Sequence, residues 1–312
     1  MELRTPKPVH PDTQSREAFR SVDIIRFEDG SELPVYNGVP ILFGADSLFS
    51  ADDIREGSVT TQDAEHLNTG NYRNYIRRKL LPSLADDTSL TRRYRELNAK
   101  LPQGGVVLVV GTGEKADFYR ETFPGCQVVT SDVHAAFRPD YVFDGHRIPF
   151  EDEVFDLVLA AQVIEHTVNP WQFSAELQRV TRRGGLLQIE APHNFPYHAE
   201  PYDFFRFTYT GMRSLFRLCA VEKAYVTEGN ASVVALAASN FLVNISRRRI
   251  VRSGFLLVSR FVFGWLKYLD RRPETVNRRT ISMPKGYAFT FRKDARLRSE
   301  NELFSEFHSL AP

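Results

Sequence analysis

Three sets of residues have the types and spacing to do chemistry. The first is the turn Gly111-Thr112-Gly113, which follows an all-apolar run from Val106 to Val110. Glycine lets backbone approach a ligand closely, because no Cβ stands in the way. The second is Asp132 and Asp144, each placed where a strand should end. Asp132 follows Gly111 by about twenty residues, the interval at which a carboxylate grips ribose hydroxyls in dinucleotide-type folds. Asp144 should reach the same crevice and accept a bond from a ring amino group, with the Gly145 backbone close to the ring. The third set is His193, His198, Glu200, Asp203 and Arg206, lying among Phe195, Tyr197, Tyr202, Phe204 and Phe205. Histidine is the side chain best poised for proton transfer near neutral pH. His198 is the favoured base, ahead of His193, with Asp203 as a further candidate. Each set has a plain reading too: a strand exit, a solvated strand-end aspartate, a loop hydrogen-bonded to the core.

The elements that must position these residues follow from the apolar pattern. An uninterrupted apolar run bounded by turn residues reads as a strand buried on both faces. From Val106 a strand–helix rhythm begins, with later strands expected at 126–131, 140–143, 155–161 and 186–190. Asn169 should cap a helix with Pro170 at its first position and Phe173, Leu177 and Val180 on one face. Gly184-Gly185 should close that helix. A further helix is expected near 211–218, and later strands at 221–226 and 287–291. Alternating strands and helices argue for a parallel sheet whose ligand lies beyond the carboxyl ends of the strands.

With those residues in place, the text resembles the class I S-adenosylmethionine-dependent methyltransferases, in the type 11 group. The resemblance covers about 106–216. It rests on Val107-Leu108-Val109-Val110-Gly111-Thr112-Gly113, Asp144-Gly145-His146-Arg147-Ile148-Pro149-Phe150, Phe155-Asp156-Leu157-Val158, Val163-Ile164-Glu165-His166 and Gly184-Gly185-Leu186-Leu187. It implies a Rossmann-like seven-stranded sheet whose last two strands form an antiparallel pair. It also implies S-adenosylmethionine as cofactor, with Gly111, Thr112 and Gly113 at its methionine end. Asp132 falls to the ribose, and Asp144 with Gly145 to the adenine. Ala161 and Gln162 fall beside the sulfonium, and His166 at the cleft wall. A role for His166 in orienting its loop is an equal alternative to catalysis. Two positions depart from the family pattern. Val109 replaces a common acidic residue, removing a partner for the cofactor's amino group. Lys115 replaces a common glycine, adding positive charge near a cationic sulfonium.

The chain has 312 residues, a net charge of +1, 42% hydrophobic and 25% charged residues, which are the proportions of a soluble globular protein. Two cysteines are too few and too far apart for a disulfide framework or a zinc knuckle, and no metal is expected. The start has no apolar core of a signal peptide, and no run is long enough to span a bilayer. A cytoplasmic setting fits, including the inner face of the membrane. Five segments are expected: a leader and metal-free β-ribbon (1–45), a helical cap (46–100), the cofactor-binding core (101–230), a basic amphipathic insertion (231–285), and a last strand with tail (286–312). Residues 1–20, with Pro6, Pro8 and Pro11, read as a mobile leader. Tyr72, Tyr75, Ile76 and Leu80 share a helix face that Pro82 ends.

In the insertion, wound as a helix, Phe255, Val258, Val262, Trp265, Leu266 and Leu269 share one face, and Arg260, Lys267 and Arg271 the opposite one. Residues 247–279 therefore suit peripheral contact with an anionic membrane, or packing on the sheet or on a second subunit. No nucleic-acid recognition motif accompanies the charge. The function expected is methyl transfer to a small-molecule, glycan or lipid-linked acceptor. The rivals are a non-catalytic scaffold of the same fold and, further off, a nicotinamide-dependent oxidoreductase.

Overall fold

The computed structural model describes residues 6–57, 83–271 and 276–311. Four short strands open it, β1 (Glu17–Arg20), β2 (Ile24–Phe27), β3 (Glu32–Tyr36) and β4 (Val39–Pro40), paired antiparallel in sequence order. The main sheet contains β5 (Val106–Val110), β6 (Gln127–Asp132), β7 (Tyr141–Val142), β8 (Phe155–Ala161), β9 (Thr181–Pro192), β10 (Cys219–Val226) and β11 (Gly286–Lys293). Its order is β10-β11-β9-β8-β5-β6-β7, with β11 antiparallel to both β9 and β10. The chain leaves β5 in opposite directions, toward β6 and later toward β8. The crevice at their carboxyl ends is therefore the switch point where such sheets bind ligands.

The sheet is buried on both faces because its central strands carry apolar side chains on both. Leu108, Val158, Leu187 and Ile189 face one core with Phe150, Phe155 and Phe173. Val107, Val109, Leu157 and Leu159 face a second core with Tyr94, Tyr119 and Phe123. Helices α1 (Ala51–Glu56), α2 (Leu90–Asn98), α3 (Ala116–Thr122), α4 (Pro170–Val180), α5 (Tyr209–Leu215), α6 (Asn230–Asn244), α7 (Arg249–Phe263) and α8 (Glu300–His308) complete the described chain. Asn169 caps α4 as its sequence predicts, its side chain accepting from the Gln172 amide at 3.2 Å.

Several expectations are corrected. Residues 6–20 are no loose leader. Val9 is buried, its amide donates to the Pro149 carbonyl at 3.0 Å, and Glu17–Arg20 forms β1. Prolines forbid a helix there but suit an extended path held by the core. The ribbon also joins the main sheet, where Leu42 N–H donates to the Val142 carbonyl at 2.7 Å. Gly184-Gly185 does not close α4. That helix ends at Val180 on an extended Thr181, and both glycines lie inside β9, with Gly184 at φ +78°. Opposite Phe155 and Leu157 stand Thr181 and Leu186, so Arg182–Gly185 bulges out of register. Within the segment expected as a helical cap, Leu90–Asn98 is helical and covers the sheet through Tyr94 and Leu97. The helix expected around Tyr72, Tyr75, Ile76 and Leu80 lies outside the described residues.

The insertion is a helical hairpin of α6 and α7, followed by a short 3-10 turn (Leu266–Arg271). Its apolar face is real but points outward: Val258, Val262, Trp265 and Leu269 are all exposed. The hairpin closes instead through small residues, with Ser239 and Ser259 sharing a hydrogen bond of 2.7 Å. Arg260, on the opposite face, is half-buried. Among the described residues, no helix is long and apolar enough to cross a membrane.

Candidate active site

The glycine turn, β6, β7 and the segment after β8 meet around one pocket. Gly111, Ser131, Asp132, Asp144, Gly145, Gln162 and His166 line it, and Phe143, Val163 and Phe173 supply apolar wall. Its empty volume, open to solvent on one side, is about 910 Å³. Leu48 and Phe49 close it from the segment before α1, and Tyr202 and Phe204 from the loop after β9.

Gly111 adopts φ +71°, and a Cβ there would stand 2.3 Å from Val163 Cγ2. Only glycine fits that corner, for both conformation and space. Gly113 N–H donates to Asp132 Oδ2 at 2.9 Å, and Val133 N–H to Asp132 Oδ1 at 2.8 Å. Asp132 thus locks the turn while remaining at the pocket edge. An ionised carboxylate has lone pairs to spare beyond these two bonds. Thr112 is buried, its hydroxyl donating to the Val109 carbonyl at 3.4 Å, and is not among the pocket's lining residues.

Asp144 is held by a residue that sequence reasoning missed. His146 donates to Asp144 Oδ1 from its amide at 2.9 Å and its Nδ1 at 2.6 Å. His146 Nε2 accepts from the Asn169 amide at 3.3 Å, which selects the tautomer protonated on Nδ1. Burial pushes the Asp144 carboxyl up, but the bonds from His146 outweigh it and hold the group below its ordinary value. Asp144 is therefore an acceptor, fixed and charged. Gly145 matters for packing: a Cβ there would meet Phe173 Cε2 at 2.3 Å.

After β8, Gln162 takes φ +58° and its amide donates to the Glu190 carbonyl at 2.8 Å. Left-handed backbone on a residue with a side chain is a strained feature that tends to gather at functional sites. Ala161 packs with the second core and is not among the lining residues. His166 Nδ1 lies 2.6 Å from the Tyr202 carbonyl, and burial depresses its pKa despite that bond.

The acceptor-side loop divides the other candidates. Asp203 forms a two-pronged pair with Arg206, at 2.5 and 2.6 Å, and accepts from the His198 amide at 2.9 Å. Burial raises its carboxyl and these partners lower it further than that. It is committed to holding the loop. The His198 ring stands edge-on to His166, centroids 4.9 Å apart, with its Nδ1 3.2 Å from Asp203 Oδ2. His193 lies apart, against Tyr287 at 5.4 Å and outside the pocket lining, with its pKa lowered by burial. Glu165 precedes His166 in the motif that the resemblance places at the cleft wall. Glu165 is fully buried, neither carboxylate oxygen has a hydrogen-bond partner among the described residues, and burial pushes its pKa up to about 8.

Residues 108–189, the stretch carrying this pocket's framework, match the family model described as a methyltransferase domain. That stretch is similar to a methyltransferase domain. An uncharacterized methyltransferase of Mycobacterium avium (strain 104) is 42% identical over 67 residues, 21% of this chain and 26% of that protein. One of Mycobacterium sp. (strain KMS) is 34% identical over 116 residues, 33% of this chain and 46% of that protein. The chain thus spans a quarter to a half of these relatives' length. Among solved structures, a phosphoethanolamine N-methyltransferase 2 of Haemonchus contortus aligns with TM-score 0.47 and 11% identity. It covers 81% of this chain and 61% of the other. A SAM-dependent methyltransferase from Archaeoglobus fulgidus aligns at 0.44 and 14%, covering 72% and 100%. The matched stretch runs from β5 to β9, so the ribbon, the helical hairpin and the carboxyl-terminal strands lie outside it.

Proposed function

We propose that the chain transfers a methyl group from S-adenosylmethionine to a small-molecule, glycan or lipid-linked acceptor. The observation that carries this reading is the convergence of Gly111, Asp132 and Asp144 on one pocket within the matched domain. The cradle suits the cofactor: a Cβ-free corner, two fixed strand-end carboxylates, and apolar wall from Phe143 and Phe173. Bound there, the cofactor supplies an activated methyl group on a sulfonium. Asp132 would accept from ribose hydroxyls, and Asp144 from the adenine amino group. Methyl transfer is an in-line displacement, so the protein's main task is to hold two partners at attack distance. His166 stands on the wall shared with the aromatic loop, where it can meet an acceptor proton.

Calorimetry with S-adenosylhomocysteine is the direct test. Asp132→Ala should weaken binding by about ten- to a hundredfold, the loss of hydrogen bonds to a charged acceptor. Lack of binding to the wild-type chain at millimolar ligand would reject the reading. Binding without turnover on any acceptor would favour a non-catalytic scaffold, the role suggested by Val109 and Lys115.

The exposed hairpin favours a lipid-linked acceptor over a free one. Ile250, Phe261 and Trp265 are exposed by 87%, 62% and 55%, and the exposed Arg247, Arg248, Arg249 and Arg252 flank Ile250 in sequence. From 231 to 269 the sequence has no acidic residue. An apolar, arginine-rimmed surface of this kind suits peripheral contact with an anionic bilayer. In vesicle sedimentation, phosphatidylserine vesicles should retain the chain and phosphatidylcholine vesicles should not. Charge reversal at Arg247, Arg248 and Arg249 should cut retention by more than about tenfold, at roughly 1 kcal/mol per basic residue. Equal retention on neutral vesicles, or concentration-dependent dimerisation in its place, would overturn this contact.

A further inference from the structure

Beside the cofactor pocket His166 meets two side chains, Glu165 and His198, that the reading above leaves without a task. The loop after β9 folds over the 3-10 turn Ile164–His166, with Phe204 and Phe205 N–H both donating to the Glu165 carbonyl, at 2.9 and 3.2 Å. This brings His198 onto Glu165 and His166, so that one ligand atom of each lies within 4.8 Å of the others. Glu165 has no exposed surface and, among the described residues, no hydrogen-bond partner on either carboxylate oxygen. A buried carboxylate without partners is costly, and a cation is one of the few neighbours that can repay it.

We propose that Glu165, His166 and His198 form a divalent-cation site. The surroundings of both imidazoles match those of metal-binding histidines, whose second nitrogen is held by a carbonyl or a carboxylate. His166 Nδ1 is engaged by the Tyr202 carbonyl at 2.6 Å, and its Nε2 lies 3.8 Å from Glu165 Oε1. Arg206 Nη2, which can only donate, bonds to His198 Nδ1 at 3.3 Å. Loading a cation on Nε2 therefore requires the proton to move to Nδ1, where Asp203 Oδ2 at 3.2 Å is the acceptor that can take it. A two-histidine, one-carboxylate set suits zinc, manganese, iron or cobalt and leaves coordination positions open. The open side adjoins the pocket, because His166, Tyr202 and Phe204 line it. If the methyltransferase reading holds, an acceptor oxygen is the group that would fill such a position.

The site can be tested without cofactor or acceptor. Full-length, tag-free protein stripped with chelator is titrated with Co²⁺ and followed by visible absorption, with Zn²⁺ competition by equilibrium dialysis. One equivalent of Co²⁺ should bind with a ligand-field band that Zn²⁺ displaces. Glu165→Gln and His198→Gln should each weaken uptake at least tenfold, and Asp203→Asn by about ten- to a hundredfold through loss of its hold on His198. Near-ultraviolet circular dichroism and S-adenosylhomocysteine binding report whether each variant is folded. No stoichiometric uptake by the wild-type chain, or uptake unchanged in folded Glu165→Gln and His198→Gln, would overturn the site. Co²⁺ uptake without S-adenosylhomocysteine binding would support the site and count against the cofactor reading alone.

Discussion

Gly111→Ala is expected to remove S-adenosylhomocysteine binding and to lower stability together. The native φ of +71° costs a residue with a Cβ about 1–2 kcal/mol. The added methyl would also stand 2.3 Å from Val163 Cγ2, and overpacking of that kind costs about 1–3 kcal/mol more. Val163 belongs to the segment that carries Gln162 and His166, so relief of the clash moves the pocket wall itself. The double variant Gly111→Ala/Val163→Ala separates the two effects. It should recover the overpacking part, leaving the conformational cost and part of the affinity loss. Urea denaturation and calorimetry on the three proteins check this. Wild-type affinity in Gly111→Ala would show that the turn does not cradle the ligand.

How far these features could be read from sequence depends on whether their cause is local. The strand Phe155–Ala161 falls where its apolar run lies, because a strand buried on both faces needs nothing but apolar residues. Asp132 and Asp144 were legible for the same reason, being the first carboxylates after such runs. β9 was only half legible. Its bulge at Arg182–Gly185 is polar and glycine-rich, which locally resembles a helix stop, and its pairing with β8 alone makes it strand. The insertion shows a different limit. Periodicity located the apolar face of α7, but Ser239 and Ser259 packing together decides which face is buried. Residues 6–20 are fixed by partners far along the chain, such as Glu151 for Arg16 at 2.6 Å. The Glu165 cluster is non-local in the same way. Its letters are plain, but their meeting depends on a loop some thirty residues later lying over them, which no spacing rule encodes.

Arg93→Met is expected to destabilise the chain by about 3–5 kcal/mol, the usual consequence of stranding a buried charge. Arg93 has no exposed surface, and its guanidinium bridges Glu190 at 3.0 Å and Asp87 at 2.7 Å. Gln188 Nε2 also donates to Glu190 Oε1, at 3.0 Å. Glu190 stands beside Ala161 in the β8–β9 register, and its carbonyl holds the strained amide of Gln162. Removing the arginine leaves a carboxylate with one neutral donor among the described residues, Gln188, in a low-dielectric layer next to Tyr94 and Tyr119. The pocket wall at Gln162 should loosen with it, so cofactor affinity falls as stability does. Arg93→Met/Glu190→Gln should recover most of the stability, since replacing both partners of a buried pair is far milder than removing one. Denaturant melts of the four proteins in this cycle give the coupling directly. A single-variant loss below about 1 kcal/mol, the range of exposed pairs, would mean that water reaches the pair. The position bears on the cofactor as well as the fold. Where related domains commonly carry an acid, this chain has Val109, which faces the same layer as Glu190 and Arg93. The layer's charge sits on β9, two strands from the β5 that carries Val109, and is internally neutralised. The chain therefore holds its turn through Asp132 and Gly113, and Asp132→Ala should cost it more than loss of a ribose contact alone.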